Sequence, residues 1–414
     1  MTTRRNRLGQ RSETVRRANL SAILRAVHLH GPLSRSELVD RTGLTRSTIR
    51  DLIGELTAAG LVGEERGSAH GTPGRPSPLV RPNPAGATVL ALEIAVDSIA
   101  VAVVGVGGEV LDHHRVDRPR GRLSLDETID DLAELSRLAR ARPPARESLL
   151  GIGVAVVGTV RREDGFVRMA PNLGWRDVPL ADRLAGALGT RLPVSVANEG
   201  DLGALAEQRR GAAVGFDHVL FISGEVGVGG GLIVDGRPLT GVAGYGGEVG
   251  HVPVNPAGTV CRCGSMGCWE TEVGERALLL LAGHPPGGGR AEVDAVLREA
   301  AAGSPAALSA LDNVGRWLGI GLAGLVNVLN PQRVVLGGLT GRIHPYVAQS
   351  LGTELDRLTL QASRELVEVV PATLGVDAPL LGAAELAFEP LLEDPVGVVQ
   401  GRGGRAARAR RASA

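Results

Sequence analysis

From residue 13 to about residue 63 the apolar positions recur at helical spacing and stop at identifiable breakers. Leu20, Ile23, Leu24 and Val27 form a one-faced stripe that opens after Asn19 and ends at Gly31-Pro32. Ser34 to Glu37 reads S-R-S-E, a capping box for a second helix that ends near Gly43. Thr45 caps a third helix, whose Ile49, Leu52, Ile53 and Leu56 share a face and which Gly60 closes. Three short helices joined by tight turns predict a helix-turn-helix. The stretch LVGEERGSAHGTPGRPSPLV, 61–80, then offers a strand, a Gly/Pro tip and a second strand, which suits a wing. Residues 13–82 are therefore expected to form a winged helix-turn-helix DNA-binding domain.

RPNPAG, 81–86, reads as a linker, and from Ala87 the pattern changes to alternating β and α segments. ATVLALEIAVDSIAVAVVGVGGEVLDHHRV gives the strands of a hairpin sheet, DETIDDLAELSRLARA an amphipathic helix, LLGIGVAVVGTV a buried strand, and EGDLGALAEQRRG a helix. A second block repeats the order: DHVLFISGEVGVGGGLIVDGRPL, then a helix and strand in RWLGIGLAGLVNVLNPQRVVLGG, then a last helix in LLGAAELAFEPLL. Two units of hairpin sheet followed by helices predict a bilobed α/β domain over 87–395. The Arg-rich tail, 396–414, has almost no apolar content and is expected to be disordered.

Composition narrows the function classes. The 414 residues carry 45 Lys+Arg against 45 Asp+Glu, so bulk charge argues for neither nucleic acid nor membrane, and a basic surface must be local. Every one of those basic residues is Arg. No apolar run is long enough to span a bilayer, and none resembles a signal peptide. The expectation is a cytoplasmic protein with no membrane partner. In that reducing compartment Cys261, Cys263 and Cys268, spaced C-x-C-x4-C, read as metal ligands before disulfides.

His251 completes a set of one imidazole and three thiolates, which would close a tetrahedral Zn2+ shell and leave no position for a reactive water. A closed shell predicts a structural zinc, one per chain. On the third helix, Thr45, Arg46, Ser47 and Arg50 lie off the apolar stripe, where they can reach bases or phosphates in a major groove. In the wing, Arg75 between Gly74 and Pro76 suits a narrow minor groove. Arg4, Arg5, Arg7, Arg11, Arg16 and Arg17 are placed ahead of the fold, where they could track phosphates.

These residues carry a resemblance to the ROK family (repressor, open reading frame, kinase). Its signature G-E-x-G-H … C-x-C-G-x-x-G-C-x-E is matched by Gly247, Glu248, Gly250, His251, Cys261, Cys263, Gly264, Gly267, Cys268 and Glu270. PNLGW at 171–175, LNPQRVVLGG at 329–338 and LLGAAELA at 380–387 add to it. The resemblance implies an actin-like ATPase (sugar-kinase-like) fold behind the winged helix. Its two lobes would hinge near residue 198, and the final helix, 380–392, would return to the first lobe. It also implies a pocket for a sugar or sugar phosphate built from Asn172, Asn198, Glu199, Glu248, His251 and Glu270, with His251 facing the sugar through the ring nitrogen that does not hold zinc.

Two departures speak against catalysis. Family kinases carry N-D where this chain has Asn198-Glu199; the longer side chain at the base position displaces the carboxylate by about 1.5 Å, and misplacement near 1 Å can cost on the order of 100-fold. Where kinases carry D-x-G-G-T against the ATP phosphates, this chain has Glu93-Ile94-Ala95-Val96-Asp97, and Glu225 stands in the second Gly-rich segment, SGEVGVGGG. Asp201 is read as favouring the helix N-terminus electrostatically. The expectation is a sugar-responsive regulator, more simply a repressor, that binds operator DNA as a homodimer or homotetramer and has no catalytic residue. The alternative is an active ATP-dependent sugar kinase with a regulatory DNA-binding domain.

Overall fold

A computed structural model of the chain describes residues 12–65, 78–121, 124–141 and 148–401. The head comprises α1 (Ser12–His30), β1 (Leu33–Ser34), α2 (Arg35–Thr42), α3 (Arg46–Ala58), β2 (Val62–Glu65) and β3 (Leu79–Pro82). Ser34 closes the capping box of α2, its hydroxyl accepting from the Glu37 amide while the Glu37 carboxylate accepts from the Ser34 amide. Thr45 caps α3 by accepting from the Thr48 amide. The strands pair in the order β1-β3-β2, all antiparallel, which is the base of a wing. Its tip, with Arg75, lies outside the described residues.

The first lobe holds β4 (Thr88–Ile94), β5 (Ser98–Gly105), β6 (Val110–Asp117), α4 (Leu125–Ala139), β7 (Leu149–Val156), β8 (Thr159–Arg161), β9 (Phe166–Ala170), β10 (Trp175–Pro179), α5 (Leu180–Ala187) and β11 (Val194–Asn198). Helix α6 (Glu199–Arg210) leads to the second lobe. That lobe has β12 (Val219–Gly224), β13 (Val228–Val234), β14 (Arg237–Pro238), α7 (Trp269–Val273), α8 (Glu275–Leu281), α9 (Gly289–Ala301), α10 (Pro305–Leu329), β15 (Arg333–Gly337), α11 (Gly338–Leu358), α12 (Gln361–Arg364) and β16 (Glu368–Pro371). The closing helix α13 (Ala378–Glu393) packs on β4 and β7 of the first lobe.

Both main sheets have one topology. The orders β6-β5-β4-β7-β11 and β14-β13-β12-β15-β16 each consist of an antiparallel three-strand meander continued by two parallel strands. The repeated blocks of the sequence are thus two copies of one sheet. Strands β4 and β5 are buried along their whole length, the behaviour of a sheet covered on both faces.

Three expectations need correction. RPNPAG, read as a linker, is a packed turn: the Asn83 side chain donates to the Gly60 carbonyl at 2.7 Å, the Asn83 amide to that of Leu61 at 2.9 Å, and Ala87 is already buried. A Cβ on Gly86 would fall 1.8 Å from the Gly60 oxygen, so this turn closes against the end of the head only because the residue is glycine. Head and first lobe share one hydrophobic core, in which Leu24, Val27 and Leu56 join Val89, Ala91, Phe388 and Leu391. Residues 396–401, expected within a disordered tail, are helical. Val396, Val398 and Val399 pack on that same core, an apolar cluster hidden in the sequence by the arginines behind it. Arg16 and Arg17 also lie inside α1, since the helix begins at Ser12. Among the described residues no helix is long and apolar enough to cross a membrane.

Candidate sugar, metal and DNA sites

The segment after β14 winds through tight turns, including a short 3-10 turn at Val249–His251, and enters α7 at Trp269. Gly267 has φ +68°, and a Cβ there would lie 1.7 Å from the Asn255 oxygen, so the loop folds back on itself only with glycine at that place. The Cys261 amide bonds Ser265 O at 2.8 Å and the Gly267 amide bonds Thr259 O at 2.9 Å. Trp269, fully buried, donates its indole N–H to the Trp317 carbonyl at 2.8 Å and anchors the loop to α10. These constraints bring one ligand atom each from His251, Cys261, Cys263 and Cys268 within 4.8 Å of one another.

The chemistry of that set fits a metal ion. Cys263 and Cys268 sulfurs are 3.6 Å apart, and the Cys261 sulfur is 3.7 Å from His251 Nδ1. Ligands about 2.3 Å (S) and 2.0 Å (N) from a tetrahedral Zn2+ would be separated by roughly 3.5–3.8 Å. His251 turns Nδ1 toward the thiols, while Nε2 lies 3.9 Å from Glu248 Oε2. Glu270, in the first turn of α7, accepts from the Cys261 thiol at 2.9 Å. One imidazole therefore touches the metal cluster with one nitrogen and the Glu248 side of the cleft with the other.

Asn198 and Glu199 sit where β11 passes into α6. Asn198 is the N-cap: its Oδ1 accepts from the Gly200 amide at 2.7 Å and its Nδ2 donates to Gly158 O at 2.8 Å. Much of its hydrogen-bonding capacity is thus spent on holding the helix start. Asn172 is held from across the cleft by Arg262 of the metal loop, whose guanidinium donates to its Oδ1 at 2.5 Å. Sequence reasoning missed Arg262, the residue between two of the metal cysteines. Asp201 is only 4% exposed, its Oδ2 has no hydrogen-bond partner among the described residues, and burial raises its carboxyl to about 7, with Arg162 opposing and Glu248 reinforcing. It is a buried acid beside the pocket loop, a role its place in a helix first turn did not disclose.

Burial raises Glu199 to about 8, and the neighbouring carboxylates Glu93, Glu225 and Glu248 add to it. Because this folded value exceeds that of an unfolded glutamate, the native state binds more protons between about pH 4.5 and 8, and stability falls as pH rises through that window. Glu199→Gln is expected to gain on the order of 2 kcal/mol at pH 8.5 and little at pH 5. Urea denaturation at both pH values checks this; equal gains at the two would contradict it.

Glu93 and Asp97 are both engaged in ion pairs. Glu93 is buried against Arg115 at 2.6 Å, and burial still raises it to about 7. Asp97 meets Arg120 at 3.1 Å and Arg290 at 3.5 Å, and Arg120 also bonds Glu275 at 2.7 and 3.0 Å. Asp97 and Arg120 belong to the first lobe, Glu275 and Arg290 to the second. A clasp of charges therefore joins the two lobes. Its members are so far apart in sequence that no local pattern marked them.

In the head, Thr45, Arg46, Ser47 and Arg50 are all exposed at the start of α3, opposite buried Ile49, Leu52, Ile53 and Leu56. Thr45 Oγ1 lies 2.9 Å from Ser47 Oγ, and among the described residues Arg50 pairs only with its neighbour Asp51, at 3.1 Å. Arg16 is engaged by Glu55 at 2.6 Å, so it braces α1 on α3.

The sequence matches the ROK family over residues 89–389, most of the chain. The chain belongs to the ROK family. Its head matches the MarR family over residues 21–71. The ROK chain is 30% identical over 382 residues to the xylose repressor of Bacillus subtilis strain 168, covering 92% of this chain and 97% of that protein. It is also 30% identical over 327 residues to a glucokinase of Streptomyces coelicolor, covering 74% of this chain and 98% of the glucokinase. Among solved structures, a ROK family transcriptional regulator, a homolog of the E. coli MLC protein, superposes with TM-score 0.76 at 26% identity, covering 94% of this chain and all of that one. A Streptomyces griseus ROK glucokinase in complex with glucose and AMPPNP gives TM-score 0.63 at 29% identity over 73% of this chain and 99% of the kinase. Similarity to the repressor and to the regulator runs through head and body, whereas similarity to the kinases covers the body alone.

Proposed function

We propose that this ROK protein is a sugar-responsive, DNA-binding repressor whose kinase-like body binds a sugar or sugar phosphate without transferring phosphate. The observation that carries the reading is the coexistence, in one continuous core, of an exposed reading helix and a pocket whose phosphate side is closed by the Asp97–Arg120–Glu275 clasp. Asp97, Glu93 and Glu225 put carboxylates where a nucleotide's phosphates would need donors, and the nearby Arg115, Arg120 and Arg290 are already engaged by Glu93 and Asp97. Glu199, raised to about 8, is largely protonated at neutral pH and is poorly suited to take a proton from a sugar hydroxyl.

The metal is structural Zn2+, one per chain, held by His251, Cys261, Cys263 and Cys268. Bound there, it supplies a rigid fold for the loop and no open coordination position. The chain's own residues then do the recognition. Glu248 and Glu270 accept from sugar hydroxyls, His251 presents Nε2, Asn172 and Arg262 face the other side, and Asn198 with Glu199 sets the helix start beneath. Thr45, Arg46, Ser47 and Arg50 read operator DNA in the major groove, Arg75 reaches the minor groove, and a cytoplasmic homodimer or homotetramer supplies the paired heads.

The test is a thermal-shift panel of sugars and sugar phosphates on zinc-loaded protein, each with and without Mg-ATP. A ligand at 100 times its Kd adds about 2.7 kcal/mol. A shift with one sugar and none with Mg-ATP is expected. A response to Mg-ATP would reinstate the kinase reading, and silence across the panel would remove the effector.

A further inference from the structure

Helix α6 begins in the proposed sugar site and ends under the DNA-binding head. Its 12 residues span about 18 Å, with Asn198 and Glu199 at one end and Arg209 and Arg210 at the other. Arg210 reaches three elements at once: Nε donates to Glu385 Oε1 of α13 at 2.5 Å, Nη1 to Gly107 O in the β5–β6 turn at 2.9 Å, and Nη2 lies 3.4 Å from the His28 carbonyl of α1. A Cβ on Gly108 would fall 2.1 Å from the Arg210 guanidinium, so the turn is shaped to admit that side chain. Arg209 bonds Glu385 Oε2 at 3.0 Å and also pairs with Glu389, which Arg25 of α1 holds at 2.8 Å.

His28 is 0% exposed and Glu385 1%. The Gly107 amide donates to His28 Nδ1 at 2.9 Å, which leaves Nε2 to carry the ring proton toward Glu385, 3.1 Å away. Arg210 Nη2, 2.8 Å from the same nitrogen, is therefore a packed neighbour sharing Glu385 rather than a second hydrogen bond to the ring. Burial opposes the charged form of Glu385, yet His28, Arg210 and Arg209 outweigh it and hold the carboxyl far below the usual carboxylate range. The His28 ring packs edge-on against Phe388, centroids 5.0 Å apart, and Ser21 donates to Leu392 O at 2.5 Å. Helix α1 in turn carries the recognition helix through the Arg16–Glu55 pair and the shared core of Leu20, Ile23, Leu24, Ile53 and Leu56.

We propose that α6 is the transmission element of the protein, with Arg210 and His28 as the positioning residues that pass the state of the pocket end to the reading head. This rests on the sugar-effector reading above. A buried network of fixed donors and acceptors tolerates few arrangements, because each broken contact strands a desolvated charge. A small displacement of the helix start, from a sugar drawn against Glu199, therefore shifts Arg210, and α1 follows or the network breaks.

Operator affinity is to be measured with DNA selected from a random pool, with and without saturating D-xylose or D-glucose. The proteins are the unsubstituted chain, Arg210→Lys and His28→Gln, each first shown to be folded by its melting curve. In the unsubstituted chain sugar is expected to change affinity about tenfold or more; in the variants sugar-free DNA affinity and sugar affinity stay within about threefold while that ratio falls below about twofold. Full retention of the ratio in both variants would overturn the proposal. No ratio in the unsubstituted chain would remove these two sugars as effectors instead, and a second arm without ligand then decides the relay. Glu199→Gln is expected to alter amide exchange of residues 20–28 in the unsubstituted background but not beside Arg210→Lys. Identical exchange with and without Glu199→Gln would overturn it.

Discussion

Replacing Arg46 and Arg50 together with Ala is expected to weaken operator binding by about 100-fold or more while leaving the melting temperature and sugar affinity unchanged. Each arginine that contacts a base contributes about 1–3 kcal/mol, and two losses on one helix compound. Both side chains are exposed, and neither packs into the α3 core, so stability has little to lose. Fluorescence anisotropy at several salt concentrations checks this. The variant should also show a shallower salt dependence, by about one unit of slope per lost phosphate contact. Binding within twofold of the unsubstituted chain would remove α3 as the reading helix.

The second large effect concerns the metal. Cys263→Ser and Cys268→Ala are each expected to lose bound zinc, lower the melting temperature by about 6 °C or more, and abolish sugar-induced stabilisation. Cys268 is fully buried and opens α7, so its truncation also leaves a cavity; Cys263 is exposed, so its replacement reports ligand loss alone. Agreement between the two variants separates the metal from packing. The coupling to sugar follows from His251, whose Nδ1 faces the thiols and whose Nε2 faces Glu248. Metal analysis, melting curves and sugar titration form the check; a zinc-free protein with unaltered sugar affinity would sever the metal from the pocket.

Much of this architecture was readable from residues that act locally. Ser34 and Glu37, Thr45 and the stripe on α3 announce helices because caps and periodicity involve neighbours three or four positions apart. The Gly264 and Gly267 turns announce the metal loop for the same reason. What stayed hidden joins distant segments. Arg262 on Asn172, Arg120 on Glu275, and Arg210 on Glu385 pair residues 90, 155 and 175 positions apart, and an arginine in an amphipathic helix looks the same whether it meets solvent or a buried glutamate. Glu385 and Glu389 inside LLGAAELAFEPLL were the visible anomalies, charges in a largely apolar helix, and the resemblance absorbed Glu385 into a family motif. Linker composition misled for a different reason: Pro and Gly mark where regular structure ends, and say nothing about whether the turn between is packed.

The joint at Asn83 and Gly86 also limits which genomic sites the protein can occupy. With Gly86 closed on the Gly60 carbonyl and Asn83 bonded to Gly60 and Leu61, the head has no tether on which to swivel. In a homodimer the distance and rotational phase between the two half-sites are then dictated by the body. Inserting about five base pairs, half a turn of the duplex, between the half-sites should abolish cooperative occupancy even though both sequences remain intact.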